Sequence, residues 1–84
     1  MAMNIKNKYA EIIGWYGALA IVIAYALVSF KAIQSDGLIY QLLNLTGALG
    51  IIVISLVKKV KQSIVLNMFW ALIAGIALIG ILIK

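Results

Sequence analysis

The chain has 84 residues, of which 67% are hydrophobic and 11% are charged, and it contains no Pro, Cys or His. A soluble domain of this length cannot hide so much apolar surface from water. Without Cys and His, the sequence lacks disulfides, thiol chemistry, zinc ligands and the commonest general base, so we expect no enzyme, metal site or cofactor. The net charge is +5, but the lysines stand in short clusters between long apolar runs, which argues against nucleic-acid binding.

Three uncharged runs divide the sequence, and they cover residues 12–30, 38–57 and 64–83. Each run is about as long as the 20 residues that an α-helix needs to cross a bilayer. Because a backbone in lipid must satisfy its own hydrogen bonds, and the alternating polarity of barrel strands is missing, we predict three transmembrane helices. The connections between the runs are short, so we expect residues 1–84 to form one all-α integral membrane domain.

The connections contain residues that commonly cap helices. Ser35 and Asp36 precede the second run, and Ser63 precedes the third. Since a Ser or Asp side chain can accept a hydrogen bond from the free N–H groups of a first helical turn, these residues are the predicted N-caps.

The first run also resembles a secretory signal peptide. Lys6 and Lys8 are followed by an apolar stretch and then by Ala24-Tyr25-Ala26, which has the small residues of a cleavage site. The apolar stretch continues to Phe30, beyond that point. We therefore interpret the first run as a retained transmembrane helix.

Lysine counts predict the orientation of the three helices. An odd number of spans places the N-terminal segment and the second connection on the same side of the membrane. That side carries Lys6, Lys8, Lys58, Lys59 and Lys61, whereas the other side carries Lys31 and Lys84. The positive-inside rule then predicts a cytoplasmic N-terminus and an external C-terminus. We expect Glu11, at the membrane edge near the N-terminal lysines, to form a surface ion pair.

Each predicted helix collects its small and polar residues on one face when residues are placed 100° apart. In the first helix this face holds Glu11, Gly14, Ala18, Ile21, Tyr25 and Ser29. In the second it holds Tyr40, Gln41, Asn44, Gly47, Ala48, Ile51 and Ser55, and Leu42, Leu45, Leu49, Ile52, Val53 and Leu56 lie outside it. In the third it holds Ser63, Asn67, Trp70, Ala71, Ala74 and Ala77. Such faces are typical of helix packing, in which small residues let backbones approach.

Asn44, Asn67 and Trp70 allow two interpretations. A carboxamide is costly in hydrocarbon, so each Asn side chain either bonds a neighbouring helix or faces a cavity or a ligand. Trp70 lies on the Asn67 face, where it either fills a helix interface or stacks on the ring of a solute.

The segments SDGLIYQLLNLTGALG and SIVLNMFWAL, within three spans, resemble a small bacterial three-span membrane domain of uncharacterised function, over Ile13 to Ile83. More distantly, the layout resembles the SemiSWEET half-transporters of the PQ-loop superfamily. That resemblance implies a triple-helix bundle packed in the order first, third, second, and a homodimer with a sugar pathway on its axis. Asn67 matches an Asn that faces the pocket in that family, whereas the family's Pro-Gln hinge has no counterpart here. A bacterial cytoplasmic membrane is the implied location.

Two functions are compatible with these features. The first is a homodimeric half-transporter or facilitator for a small neutral polar solute such as a sugar, held or guided by Asn67, Trp70, Asn44, Tyr40, Gln41 and Tyr25. A dimer is needed because three packed helices fill their own centre with side chains. The alternative is a membrane-embedded interaction or regulatory subunit without transport activity, whose lysine loop touches anionic lipid. A phage-type holin, which usually ends in a longer basic tail, ranks third.

The surroundings of Asn67 distinguish the first two functions. A symmetric pair of chains with both Asn67 side chains in a water-accessible cavity would favour transport. A lone bundle in which Asn67 bonds its own backbone would count against it.

Overall fold

A computed structural model describes residues 5–83, with side chains from residue 7 onward. These residues form three α-helices, α1 (Ile5–Ser29), α2 (Leu38–Lys58) and α3 (Lys61–Leu82), and the described part contains no strand. Each helix is long and apolar enough to cross a membrane. The predicted all-α fold with three spans is therefore confirmed. Lys84 and the side chain of Lys6, which entered the orientation count, lie outside the described residues.

Two helices begin earlier than the uncharged runs. α1 begins at Ile5 and includes Lys8 and Glu11, and α3 begins at Lys61. Charged residues end a hydrophobic run, but Lys and Glu are good helix formers and do not end a helix. The first turns of α1 and α3 therefore extend beyond the uncharged segments.

The helices pack in sequence order, with α2 between α1 and α3. The Cα atoms of α1 and α3 nowhere come within 8 Å of each other, whereas both helices pack closely on α2. The prediction of a SemiSWEET-like bundle, in which the third helix is central, is wrong on this point. Connections of eight residues (30–37) and two residues (59–60) explain the order, because short loops join antiparallel neighbours.

Both connections leave the preceding helix in the same way. Lys31 and Lys59 adopt left-handed backbone conformations, with φ values of 61° and 58°. The next N–H group then reaches back to the helix, from Ala32 to Leu27 O (2.8 Å) and from Val60 to Ser55 O (3.0 Å). This is the Schellman motif, in which Gly usually occupies the left-handed position. Two lysines hold that position here.

The predicted N-caps are wrong. Gly37 is the N-cap of α2 and Val60 that of α3, and neither cap makes a side-chain hydrogen bond. Ser35 lies in the turn, where its carbonyl accepts a bond from Gln41 Nε2 (3.0 Å). Ser63 lies within the first turn of α3, and its hydroxyl is bonded to a side chain of α2. Gly37 and Val60 have no side-chain oxygen that could accept a hydrogen bond, so side-chain caps are absent at both starts.

Small residues form the contact between α1 and α2. A Cβ atom added at Gly17 would overlap Gly47 O, and one added at Gly50 would lie 2.7 Å from Ile13 O. The backbones of the two helices therefore approach as closely as glycine allows. Alanines complete the contact, because Ala20, Ala24 and Ala48 are almost fully buried.

The structure confirms the predicted face of α2 in part and rotates that of α1. Asn44, Gly47, Ala48 and Ser55 are buried in α2, while Leu42, Leu49 and Leu56 are exposed. Gly50, which lies outside the predicted face of α2, is also buried, and Leu45, Ile52 and Val53 are partly buried. In α1 the buried residues are Ala10, Gly14, Gly17, Ala20 and Ala24. The predicted face followed the polar residues Glu11 and Tyr25, but the position of α2 follows the Gly and Ala stripe beside them. Tyr25 is 72% exposed as a result.

Candidate functional site

Two pairs of hydrogen-bonded side chains join α2 to α3. In the first pair, the indole Nε1 of Trp70 donates to Asn44 Oδ1 at 2.8 Å. Asn44 Nδ2 in turn donates to Tyr40 O, one turn earlier in α2, also at 2.8 Å. Asn44 is only 4% exposed, and both the oxygen and the nitrogen of its carboxamide have hydrogen-bond partners within the chain. A buried carboxamide in an apolar span requires such partners.

A pocket of about 190 Å³ lies beside this pair, between α2 and α3. Its lining includes Tyr40, Gln41, Asn44 and Trp70, together with the apolar Ile73 and Ala74. Four of the six predicted solute-binding residues are therefore brought together. Gln41 is tied to the turn through Nε2, whereas the hydroxyl of Tyr40 has no hydrogen-bond partner among residues 7–83.

Asn67 does not line this pocket. It bonds to Ser63, which forms the second pair between α2 and α3 together with Ser55. Asn67 Nδ2 donates to Ser63 O at 2.9 Å and lies 3.4 Å from Ser63 Oγ. The Ser63 hydroxyl forms a 2.7 Å hydrogen bond with the hydroxyl of Ser55 on α2. Asn67 is 8% exposed and thus bonds its own helix backbone. The expected grouping of Asn67 with Trp70 does not occur, because the two side chains turn toward different partners.

Tyr25 belongs to neither pair. It lies on the exposed side of α1 and is absent from the lining of the pocket near Trp70. It therefore does not share the pocket that Tyr40, Gln41, Asn44 and Trp70 line.

A hydrogen bond between α1 and α2 was missed by the sequence analysis. The hydroxyls of Tyr16 and Thr46 are 2.7 Å apart, and Thr46 Oγ1 donates to Leu42 O at 2.8 Å. Since Thr46 has one hydroxyl proton, Tyr16 is the donor between the helices. From the sequence, Tyr16 can be interpreted only as an aromatic residue at the membrane interface. No spacing in the sequence indicates that its hydroxyl bonds to Thr46.

A groove of about 320 Å³ opens at the end of the molecule that carries Lys58. It has walls from α1, α2 and the start of α3, and its mouth holds an ion pair between Lys58 Nζ and Glu11 Oε2 at 3.2 Å. Glu11 Oε2 is buried and has no hydrogen bond of good geometry, so charge alone holds the pair. The expected surface ion pair of Glu11 forms, but its partner comes from α2.

This ion pair shows that the N-terminal part of α1 and the α2–α3 connection lie at the same end of the molecule. We call this the lysine end, defined by Lys8, Lys58, Lys59 and Lys61. Asp36 lies in the turn at the opposite end. The two carboxylates of the chain are thus separated by the length of a helix, so they form no paired-carboxylate site.

Comparisons with known proteins identify a family but no activity. No curated protein and no solved structure matches the chain. A relation to SemiSWEET or PQ-loop proteins is therefore not supported. The three apolar helices make this a small integral membrane protein. A model of an uncharacterised protein family matches residues 10–84, nearly the whole chain, and the chain belongs to that family.

Proposed function

We propose that this protein is a membrane-embedded assembly subunit, which works by packing against helices outside its own chain and passes no solute. The observation that carries the proposal is the surface of α3 at Gly75. A Cβ atom added there would meet no atom within 4 Å apart from the adjacent backbone of α3 itself, whereas the same addition at Gly17 or Gly50 would meet the backbone of the neighbouring helix. Small residues in transmembrane helices allow close helix contacts.

Gly75 follows Ala71 by one helical turn, so the two residues form a small surface on α3. A Cβ atom added at Gly80 would also meet no neighbouring residue, but the residue one turn before Gly80 is the large Ile76. Gly80 also lies about 140° around the helix from Gly75 and so belongs to a different face. The glycines of α1 and α2 have partners within the chain, and Gly75 has none among the described residues. A second copy of this chain is the partner that we assign to the Ala71–Gly75 surface, in a two-fold symmetric homodimer.

The hydrogen bonds of the polar side chains support assembly over transport. Asn44 is bonded at both ends of its carboxamide, and Asn67 donates to its own helix backbone. A solute route needs polar groups that are free to bind the solute. The two residues with the strongest sequence signal for solute binding instead connect parts of one chain.

The pocket beside Trp70 favours a second candidate, a facilitator for a small neutral solute. About 190 Å³ with the Tyr40 hydroxyl, Gln41 and an indole in its lining would suit part of a hydroxyl-bearing molecule. A route across the membrane would still need a second copy, because three packed helices fill their own centre with side chains and enclose no channel.

The location that we assign is a bacterial cytoplasmic membrane with the lysine end in the cytoplasm, on the basis of the lysine bias. Single cysteines at positions 59 and 83 test this orientation, since the natural chain has no Cys. In intact cells, a membrane-impermeant thiol reagent should label position 83 and leave position 59 unlabelled. The reverse pattern would invert the orientation.

Energy transfer between chains in liposomes tests the assembly proposal. A single Cys at the exposed Gln34 accepts donor or acceptor dyes at the end opposite the lysine end. Transfer should rise with the protein-to-lipid ratio for the unmodified helices and fall to the random level for Gly75→Leu, because Leu overfills a close contact. Gly80→Leu is the matched control and should behave like the parent.

Solute flux into the same liposomes distinguishes the two candidates. The assembly proposal predicts that sugars, polyols and amides enter at the rate of protein-free liposomes. Uptake that exceeds this rate and falls in Trp70→Phe would replace the proposal with the facilitator. Energy transfer that is equal for the parent and Gly75→Leu would remove the assigned surface.

A further inference from the structure

We propose that the groove at the lysine end is a binding site for one anionic phospholipid. One acyl chain lies in the apolar part of the groove. The phosphate group lies near Lys58, Lys59 and Lys61, at and beside the α2–α3 connection. This site does not include Ala71 or Gly75, so it stands apart from the assembly proposal.

The shape of the groove follows from the helix order. Because α1 and α3 both pack on α2 and do not approach each other, an open groove remains between them, with α2 as its base. Ala18 of α1 lacks a large side chain and leaves this groove open, while Gly14 gives room to the side chain of Ile54. Ile51 and Ile54 of α2 form the apolar floor of the groove. These residues belong to spanning segments, so the groove opens into the hydrocarbon region.

The length of the groove favours an acyl chain over a helix from a second copy. On α1 the lining extends from Glu11 to Ala18, which is eight residues or about 10 Å of helix. A spanning helix is about 30 Å long and would contact the groove over only a third of its length. A flexible hydrocarbon chain fills a short apolar groove without leaving the rest of itself unpacked.

The charge at the mouth favours an anionic headgroup. Glu11 offsets Lys58, but Lys8, Lys59 and Lys61 remain exposed at the same end. Among the described residues of the opposite end, the charge of Lys31 is balanced by that of Asp36. The first turn of α3 adds N–H groups that no N-cap side chain occupies, and these groups carry partial positive charge. Each lysine near a membrane surface should raise the affinity for anionic lipid about fivefold.

The two tryptophans make the site measurable by fluorescence. Trp15 lines this groove, whereas Trp70 lines the pocket between α2 and α3. Trp70→Phe leaves Trp15 as the only indole and Trp15→Phe leaves Trp70. Each protein is placed in liposomes that contain a brominated phospholipid, anionic phosphatidylglycerol in one series and zwitterionic phosphatidylcholine in the other, at matched mole fractions. Bromine quenches only an indole that its acyl chain contacts.

The proposal predicts that brominated phosphatidylglycerol quenches Trp15 at a mole fraction at least fivefold lower than brominated phosphatidylcholine does. Trp70 should show no such preference. In the Trp15 protein, Lys59→Gln should weaken the preference about fivefold, whereas Lys31→Gln should leave it unchanged. The two lysines are matched, because both occupy left-handed positions that end a helix. Ala18→Leu should abolish the preference by filling the groove.

Three results would overturn the proposal. Equal quenching of Trp15 by the two lipids would mean that the groove holds bulk lipid without selection. Equal effects of Lys59→Gln and Lys31→Gln would mean that overall charge, and not the groove mouth, attracts the anionic lipid. Weak quenching of Trp15 by both lipids, which grows stronger as the protein is diluted in the bilayer, would place a second copy in the groove.

Discussion

The contact between α1 and α2 and the contact between α2 and α3 use different side chains for the same purpose. At the first, Gly17 and Gly50 bring the helix backbones together, and the Tyr16–Thr46 hydrogen bond and the Glu11–Lys58 ion pair join side chains that are partly or fully exposed. At the second, the buried Asn44 and Ser55 of α2 bond to side chains of α3. The first contact depends on shape and the second on polar pairing.

The difference shows two ways in which one helix can bind its neighbours in lipid, where burial of apolar surface contributes little to helix association. A shape-based contact gains dispersion energy over many atoms and fails when volume is added. A polar contact gains a few directional bonds and fails when a donor or acceptor is removed. The two sides of α2 should therefore respond to different kinds of substitution.

The largest expected effect comes from one methyl group at the α1–α2 contact. Gly17→Ala should lower the free energy of unfolding by about 2 kcal/mol, because the new Cβ overlaps Gly47 O and the helices must separate. Gly75→Ala makes the same change where no atom lies within 4 Å, and its better helix propensity should stabilise the protein by up to about 1 kcal/mol. Unfolding in mixed detergent micelles, at dilutions that keep the chain monomeric, measures both. A loss of stability at both positions would refute the shape-based account.

A smaller effect is expected at the polar contact. Trp70→Phe keeps a ring and removes the N–H group that donates to Asn44 Oδ1, and Asn44→Leu removes the acceptor. In a double-mutant cycle the coupling energy should be about 0.6 kcal/mol and at most about 1.7 kcal/mol, the range found for hydrogen bonds between membrane helices. Gly17→Ala combined with Trp70→Phe is the control cycle and should be additive. A coupling energy of zero for Trp70 and Asn44 would show that the bond contributes nothing.

The smallest effect should be equal at the two connections between helices. Lys31→Gly and Lys59→Gly each relieve a left-handed lysine, and each should stabilise the protein by about 0.5 kcal/mol after the entropy that glycine adds to the unfolded chain. Lys58→Gly, one residue earlier and within α2, should destabilise it. Thermal melts in detergent compare the three variants. Unequal effects of Lys31→Gly and Lys59→Gly would mean that the turns contribute to the difference between the contacts.

Part of this architecture could be predicted because its cause is local. The three uncharged runs determine three helices, and the predicted polar and small face of α2 includes four of its five buried residues, the fifth being Gly50. The face of α1 was harder to assign, since small residues such as Gly17 and polar residues such as Glu11 lie on adjacent faces. Only the position of α2 decides between them.

The helix order and the side-chain partners depend on long-range contacts. The SemiSWEET resemblance favoured a central third helix, whereas connections of eight and two residues place α2 in the centre. Trp70 and Asn44 are 26 residues apart, and their bond requires a register between antiparallel helices that no single-chain periodicity specifies. The same holds for Lys58 and Glu11.

Disulfide formation between single cysteines on α3 tests the central claim, that the surface at Gly75 meets a second copy. A disulfide requires Cα atoms within about 7 Å, so it forms only where helix backbones approach closely. In liposomes under mild oxidation, Gly75→Cys should give a covalent dimer in most molecules, and Gly80→Cys should remain monomeric. A monomeric Gly75→Cys, or equal crosslinking at positions 75 and 80, would contradict the account.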